Sequence, residues 1–402
     1  MKIVCAESVL CAREAFAPLG EVDILPDREI STRHLLHADA LVVRSKTRIT
    51  ADLLRDTSVQ IVATTTAGTD HMDLPALADL GIAAASAPGC NANAVAEYTL
   101  TALALLARDE NRPLDGLRLG IVGHGHVGTL VADKAPALGL VPLLNDPPKA
   151  ALLDPGTPDA PAYLPLADLL PQADILTLHV PLTASPAPYP TRHLVSCDAL
   201  AALPRGAWLL NASRGAVVDS DALEFALQHA HVAAAVLDVW EDEPAPSPLL
   251  PLPRYLTPHI AGYSLEGLLN GTLAAYRAVC RFFELEPAWH PSLPPAPPVV
   301  LDLAHLSPSD ALAAVLSAAC PLDTDAAAWR AAFADAAAES ATLAAPAAPP
   351  PLAPYRRAFD TFRRAYAHRR EFAATPLHLL HAPAELLPAL EPLGFPLTSA
   401  LP

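Results

Sequence analysis

The chain has 402 residues and a formal net charge of −17, with 26 Lys and Arg against 43 Asp and Glu. That acidity argues against nucleic acid or an anionic membrane surface as a general partner, and an anionic small molecule would need a local basic pocket. The length allows two or three domains with separate cores, and no charge-free apolar run reaches the roughly 18 residues of a membrane span.

Met1 to Leu10 carries Glu7 in place of a long apolar stretch and reads as a strand, not a signal peptide. Apolar runs then alternate with helical stretches through about residue 260, the rhythm of a parallel α/β sheet. Strands are expected at Lys2–Cys5, Ala40–Val43, Ile61–Thr64, Arg118–Val122, Val141–Leu144, Ile175–Leu178, Trp208–Asn211 and Ala234–Val239. An Ala/Leu helix over Ala94–Arg108 separates the first three from the rest and would join two lobes. Pro136 should bend the helix that follows a glycine-rich turn. From Trp289 to Pro298 the chain is Pro-rich, a boundary, and Ala344 to Pro354 reads as a flexible loop. Six scattered cysteines, with no C-x-x-C pair and no His/Cys cluster, suit reduced thiols in a cytoplasm and predict no metal site. Cys90 reads as a buried structural thiol.

Gly123, Gly125 and Gly128 form G-x-G-x-x-G between an apolar strand and a helix, with Asp146 ending the next strand. In that context the first glycine makes a tight turn and the second admits the backbone to a pyrophosphate. The third lets helix and strand pack closely, while N–H groups of His126 and Val127 face the phosphates. Asp146 can accept from the adenosine ribose hydroxyls and repels a 2′-phosphate, which predicts NAD and not NADP. His124 and His126 are expected to face solvent.

Three downstream segments carry candidate chemistry: Asn211-Ala-Ser-Arg214-Gly215, Leu237-Asp-Val-Trp-Glu-Asp-Glu243-Pro and Pro258-His259-Ile-Ala-Gly262-Tyr263. Oxidising a 2-hydroxy acid needs a guanidinium that grips the carboxylate and polarises the C2 oxygen, which suits Arg214. It needs a base for the hydroxyl proton, which suits His259. A carboxylate that orients this imidazole and favours its charged form suits Glu243. Arg44 and Ser45 end a strand and offer a cation and a hydroxyl to a phosphate.

The spacing of N-x-x-R-G, L-D-V-W-x-x-E-P and P-H-I-A-G resembles the D-isomer-specific 2-hydroxyacid dehydrogenase family. That resemblance implies an α/β fold in which a Rossmann NAD-binding domain is inserted into a flavodoxin-like substrate domain. The segments Val43-Arg44-Ser45, Ala67 to His71, Ala87 to Asn91, Asp146-Pro-Pro148 and His259 to Gly267 are similar to the branch of that family acting on 4-phospho-D-erythronate. The likeness implies oxidation of that acid to its 2-oxo acid, (R)-3-hydroxy-2-oxo-4-phosphooxybutanoate, in pyridoxal 5′-phosphate synthesis. It places Ser45, Thr66 and Tyr263 at substrate positions, and Asp146, Thr177, Ala212, Ser213, Asp238 and Gly262 at cofactor positions. Ser213 stands where the family pattern has Cys. The implied division is 1–95 for the first part of the substrate domain, 96–256 for the NAD-binding domain, 257–288 for the returning segment and 289–402 for a C-terminal α+β dimerisation domain. Another dehydrogenase of this fold, such as one for phosphoglycerate, and a non-enzymatic NADH-sensing protein are the competing readings.

In the C-terminal segment Tyr355 to Phe372 reads as the clearest element. Phe359, Phe362 and Tyr366 make an aromatic stripe at helical spacing, edged by Arg356, Arg363 and Arg370. Such arginines fit a homodimer interface better than a nucleic-acid helix in so acidic a chain.

Overall fold

The computed structural model describes residues 1–153, 161–344 and 351–397. These form two compact units, the first made of Met1–Asn93 and Tyr263–Pro295, the second of Ala94–Gly262 and Ala296–Pro402.

The first unit is built on five parallel strands: β1 (Lys2–Ala6), β2 (Glu21–Leu25), β3 (Ala40–Val43), β4 (Ile61–Thr64) and β5 (Ala83–Ala85). Their order is β2-β1-β3-β4-β5, the flavodoxin-like arrangement. Every residue of β3 and β4 is buried, as strands covered on both faces must be. The helix Leu265–Phe282 returns to this unit, and a Cβ on its Gly271 would lie 2.2 Å from the carbonyl oxygen of Thr65. Only glycine allows the helix that close to the end of β4.

The second unit has six parallel strands, β6 (Arg118–Val122), β7 (Val141–Asn145), β8 (Ile175–Leu178), β9 (Ala207–Asn211), β10 (Val232–Leu237) and β11 (Tyr255–Leu256), in the order β11-β10-β9-β8-β6-β7. The order reverses between β6 and β8, so the crevice at their carboxyl ends is where a doubly wound sheet binds ligands. β7 is an edge strand and therefore tolerates Pro142, which has no N–H for a ladder. The helix Ala92–Asp109 is two residues longer at its start than expected, and its Leu100, Ala102, Leu103, Leu105 and Leu106 are fully buried. Pro136 does not bend the helix after the glycine turn. That helix, His126–Lys134, ends, and Pro136 sits in a 3-10 turn over Ala135–Leu138, where its missing N–H is tolerated.

The C-terminal part contributes a two-stranded parallel sheet, β12 (Val299–Asp302) with β13 (Leu377–Leu380), and the helices Pro308–Ala319, Leu322–Leu343, Ala353–Ala365 and Leu386–Leu393. Leu316, Phe372 and Leu390 share a core with Leu119 and Ile121 of β6. The stripe helix is shorter than expected. It stops at Ala365, so Arg370 lies off it and does not line up with Arg356 and Arg363. The adjacent Arg369 is buried instead, its guanidinium donating to Glu97 Oε2 at 2.6 Å and to the Ala94 carbonyl at 2.7 Å. Of the loop expected at 344–354, residues 345–350 lie outside the described residues, and Ala353 and Pro354 already open a helix. Among the described residues no single helix is long and apolar enough to cross a membrane.

Candidate active site

The glycine turn leaves β6 and enters the helix His126–Lys134 with Gly125 as its N-cap. Gly123 has φ of +91°, and a side chain there would strike the His179 carbonyl at 2.5 Å. A Cβ on Gly128 would lie 1.9 Å from the carbonyl oxygen of Gly123, so turn and helix touch backbone to backbone. Gly125 differs: a Cβ there would meet nothing within 4 Å, leaving open space beside the first turn, whose N–H groups lack intrahelical acceptors. That is the cradle a pyrophosphate requires.

Asp146 closes the same turn. Its Oδ2 accepts from His124 N–H at 2.9 Å, and its Oδ1 accepts from Lys149 N–H at 3.0 Å. The Lys149 ammonium in turn donates to the His124 carbonyl. His126 is exposed as expected, but His124 is buried, which corrects the sequence reading. Its Nδ1 lies 2.9 Å from the Tyr163 hydroxyl with the rings edge to face, and burial together with Lys149 pushes its pKa down. Tyr163 follows the undescribed segment, and nothing in local sequence spacing marked it as a partner. At the end of β8, Thr177 is buried and its Oγ1 lies 3.1 Å from Nε2 of His179.

β9 delivers Arg214. Asn211, its last residue, locks the turn: its Oδ1 accepts from the N–H and hydroxyl of Ser213 at 3.0 and 2.8 Å, and its Nδ2 donates to the Arg214 carbonyl at 2.9 Å. Ser213 thus keeps a hydrogen-bonding role in place of Cys. Ala212 and Arg214 are half-buried, and the guanidinium donates to the Ser213 carbonyl at 2.8 Å.

The loops after β10 and β11 bring the other two residues together. Glu243 Oε1 lies 2.5 Å from Nδ1 of His259, which leaves the ring's Nε2 for a reacting group. His259 itself has φ of +58°, rare for a non-glycine residue, and is held there from below. Its N–H donates to the Asp238 carbonyl at 2.8 Å. The Asp238 carboxylate accepts from Thr257 Oγ1 at 2.7 Å, Ile260 N–H at 2.8 Å and Ala261 N–H at 2.9 Å. Tyr98 of the long helix completes the set, its hydroxyl 2.7 Å from Thr257 Oγ1. Burial pushes the Asp238 carboxyl up, and these donors oppose it. The positive-φ backbone of His259 is thereby pinned up to Ala261, just before Gly262. Thr257 and Tyr98 were missed because their contact joins segments distant in sequence, whereas Asn211 opens the motif that carries Arg214 and its side-chain contacts with Ser213 and Arg214 are local.

In the first unit, the Arg44 guanidinium lies over the Tyr263 ring, 5.3 Å from its centroid, and reaches the Ser8 carbonyl only at 3.5 Å. Its Nε is buried with no hydrogen-bond partner among the described residues. Ser45 is exposed beside it. Thr66 Oγ1 lies 2.8 Å from both Thr64 Oγ1 and the Gly68 carbonyl. Cys90 is partly buried, 3.9 Å from the Thr65 carbonyl, and burial raises its thiol to about 11, so it is no thiolate nucleophile.

Residues 104–261 match the NAD binding domain of the D-isomer specific 2-hydroxyacid dehydrogenases, a span that holds the glycine turn, Arg214, Glu243 and His259. Across 98% of both chains the sequence is 38% identical to the erythronate-4-phosphate dehydrogenase of Chromohalobacter salexigens. The chain belongs to the erythronate-4-phosphate dehydrogenase family. The enzyme of that name from Photorhabdus laumondii is 46% identical over 70% of this chain and 74% of its own. Among solved structures, the TT0316 protein of Thermus thermophilus superposes with a TM-score of 0.60 at 30% identity, over 72% of this chain and 99% of that one. The NAD+-bound 3-phosphoglycerate dehydrogenase of Entamoeba histolytica does so with 0.59 at 25%, over 71% and 95%. The chain is therefore an oxidoreductase of the D-2-hydroxyacid dehydrogenase family with a Rossmann NAD-binding domain, and its substrate is a small hydroxy acid.

Proposed function

We propose that the chain oxidises 4-phospho-D-erythronate to (R)-3-hydroxy-2-oxo-4-phosphooxybutanoate, a step towards pyridoxal 5′-phosphate, with NAD as oxidant. The observation that carries this reading is the 2.5 Å contact of Glu243 with His259 in a chain alignable from end to end with a relative of that name. A nicotinamide held at this site would supply the acceptor for the hydride of C2. Arg214 grips the substrate carboxylate and draws electron density from the C2 oxygen. His259 Nε2 takes the hydroxyl proton as the C2 carbonyl forms, and returns it in reduction. Glu243 orients the ring through Nδ1 and stabilises the imidazolium that results. Gly123, Gly125, His126, Val127 and Gly128 hold the pyrophosphate, Asp146 the adenosine ribose, and Thr177, Ala212, Ser213, Asp238 and Gly262 complete the cofactor site. Arg44 and Ser45, with Thr66 and Tyr263, receive the phosphorylated end of the acid.

We infer further that residues from about 289 form a homodimer interface and that the enzyme works in the cytoplasm. NADH absorbance with a panel of phosphorylated and plain 2-hydroxy acids tests the substrate, and light scattering on the full chain tests the dimer. Preference for 3-phosphoglycerate in that panel overturns the substrate assignment, and a monomer mass overturns the interface.

A further inference from the structure

Trp240 stands three residues before Glu243, and four separate contacts converge on it. Its side chain is buried, and its Nε1–H donates to the Ala245 carbonyl at 2.9 Å, closing the loop that carries Glu243. Its backbone lies against Gly215, where a Cβ would sit 2.0 Å from the Trp240 carbonyl oxygen, so the residue after Arg214 rests on it. Its ring is stacked 6.2 Å from Trp329 and meets Phe359 edge-on at 5.9 Å. Trp329 and Phe359 come from the C-terminal helices Leu322–Leu343 and Ala353–Ala365, and they meet each other at 6.0 Å. Trp329 is fully buried, yet its Nε1 has no hydrogen-bond partner among the described residues. A buried indole that makes no use of its N–H is there for the area and shape of its ring.

We propose that Trp329 and Phe359 are positioning residues for the reaction: through Trp240 they fix where Glu243 meets His259 and where Gly215 seats Arg214. Three consequences of geometry carry this. The Glu243–His259 contact is short, so a displacement of 1 Å in the loop breaks it, and misplacement on that scale is costly in rate. Trp240 has the Gly215 backbone on one side and the aromatic pair on another, so with the pair gone it has room to move only away from Gly215. The Nε1–Ala245 bond then carries residues 240–245 along as one piece. The C-terminal segment thereby acts on the chemistry within its own subunit, apart from any role in assembly.

The inference rests on the assignment of Glu243 as partner of His259, and its test uses the full chain. The titration of the His259 imidazole is followed by NMR, its resonance identified by its loss in His259→Asn, in wild type, Glu243→Gln, Trp329→Ala and Trp329→Phe. kcat and KM for 4-phosphoerythronate with NAD are measured in parallel. Trp329→Ala should move the His259 titration towards that of Glu243→Gln and lower kcat by about 10-fold, with KM changed less than about 2-fold. Trp329→Phe, which restores an aromatic ring and removes the unpartnered N–H, should return both to near wild type. If Trp329→Ala does not fold, Phe359→Leu is read the same way. A folded Trp329→Ala or Phe359→Leu whose His259 titrates as in wild type overturns the proposal. Absence of wild-type turnover on 4-phosphoerythronate overturns the substrate reading alone, because the titration needs no substrate.

Discussion

Glu243 reaches His259 with one oxygen only: Oε1 lies 2.5 Å from Nδ1, while Oε2 is buried without a hydrogen-bond partner among the described residues. A carboxylate so placed acts on the imidazole both by geometry and by charge. His259→Asn removes the proton acceptor and should lower kcat on the order of 100-fold or more, with NAD affinity little changed. Glu243→Gln keeps an acceptor near Nδ1 but removes the charge. The ring then lacks the charge that answers the proton it takes up, and kcat should fall with NAD affinity little changed. Initial rates check this, and a Glu243→Gln variant with wild-type kcat excludes the pairing.

His179 gives a pH dependence of stability. Burial pushes its pKa down to about 3, so it stays neutral in the fold, while in the unfolded chain it charges below about 6.5. The folded value is the lower one. The stability it contributes is therefore complete above pH 6.5 and is lost as pH falls from there towards 3. Tm recorded from pH 7 to 4 should drop, and His179→Gln should flatten the drop. Parallel curves for the two proteins would show that other groups govern the acid limb.

Sequence alone revealed the interior strands of both large sheets, and with them the apolar edge strand β7. β3, β4, β6 and β8 have neighbours on both sides, and their β-branched or leucine-rich runs follow from that. The missed strands are edges or near-edges. β2 alternates acid and aliphatic residues, β5 is three alanines, β11 is two residues long, and β12 and β13 form a sheet of two strands. The site was legible where one motif carries it, as with Gly123, Arg214 and His259. It was illegible where the decisive contact joins remote segments. Asp238 looked like a cofactor position, and only the fold shows its carboxylate taking three donors from the His259 loop. The C-terminal aromatic stripe was visible by its spacing, but its target, Trp240, was not.

Asp146 should set cofactor choice. Two backbone N–H groups fix its carboxylate beside the glycine turn, and an adenosine 2′-phosphate brought there would meet a like charge. Asp146→Ala should weaken NAD and admit NADP, narrowing the ratio of kcat/KM values. Lys149, anchored on the His124 carbonyl, would then favour the phosphate. Wild-type kcat/KM equal for the two cofactors would rule the assignment out.

Arg44 should set the preference for a phosphorylated acid. Its guanidinium rests on the Tyr263 ring with a buried, unpartnered Nε, an arrangement that leaves donors to offer to an anion. We expect 4-phosphoerythronate to be oxidised far better than erythronate, and Arg44→Ala to narrow that gap through KM more than kcat. A wild type indifferent to the phosphate removes Arg44 from the substrate site.

The final prediction concerns how the C-terminal segment is attached. Glu97 is fully buried in the long helix, and its Oε2 accepts from Arg369 at 2.6 Å while its Oε1 accepts from Phe372 N–H at 2.7 Å. Removing one partner strands a charge in the interior, so Arg369→Met should cost about 3–5 kcal/mol, read as a shift of the denaturant midpoint. Replacing both, in Glu97→Met with Arg369→Met, leaves an apolar pair of similar volume and should recover most of that loss. The same geometry bears on truncation. A chain cut near Pro287 loses Trp329, Phe359 and Phe372, which belong to the cores of the second unit. It should aggregate through the apolar surface thus exposed and not run as a clean monomer. Should Arg369→Met melt with wild type, the buried pair does not hold the segment, and the core shared with β6 and the aromatic contacts to Trp240 must do so.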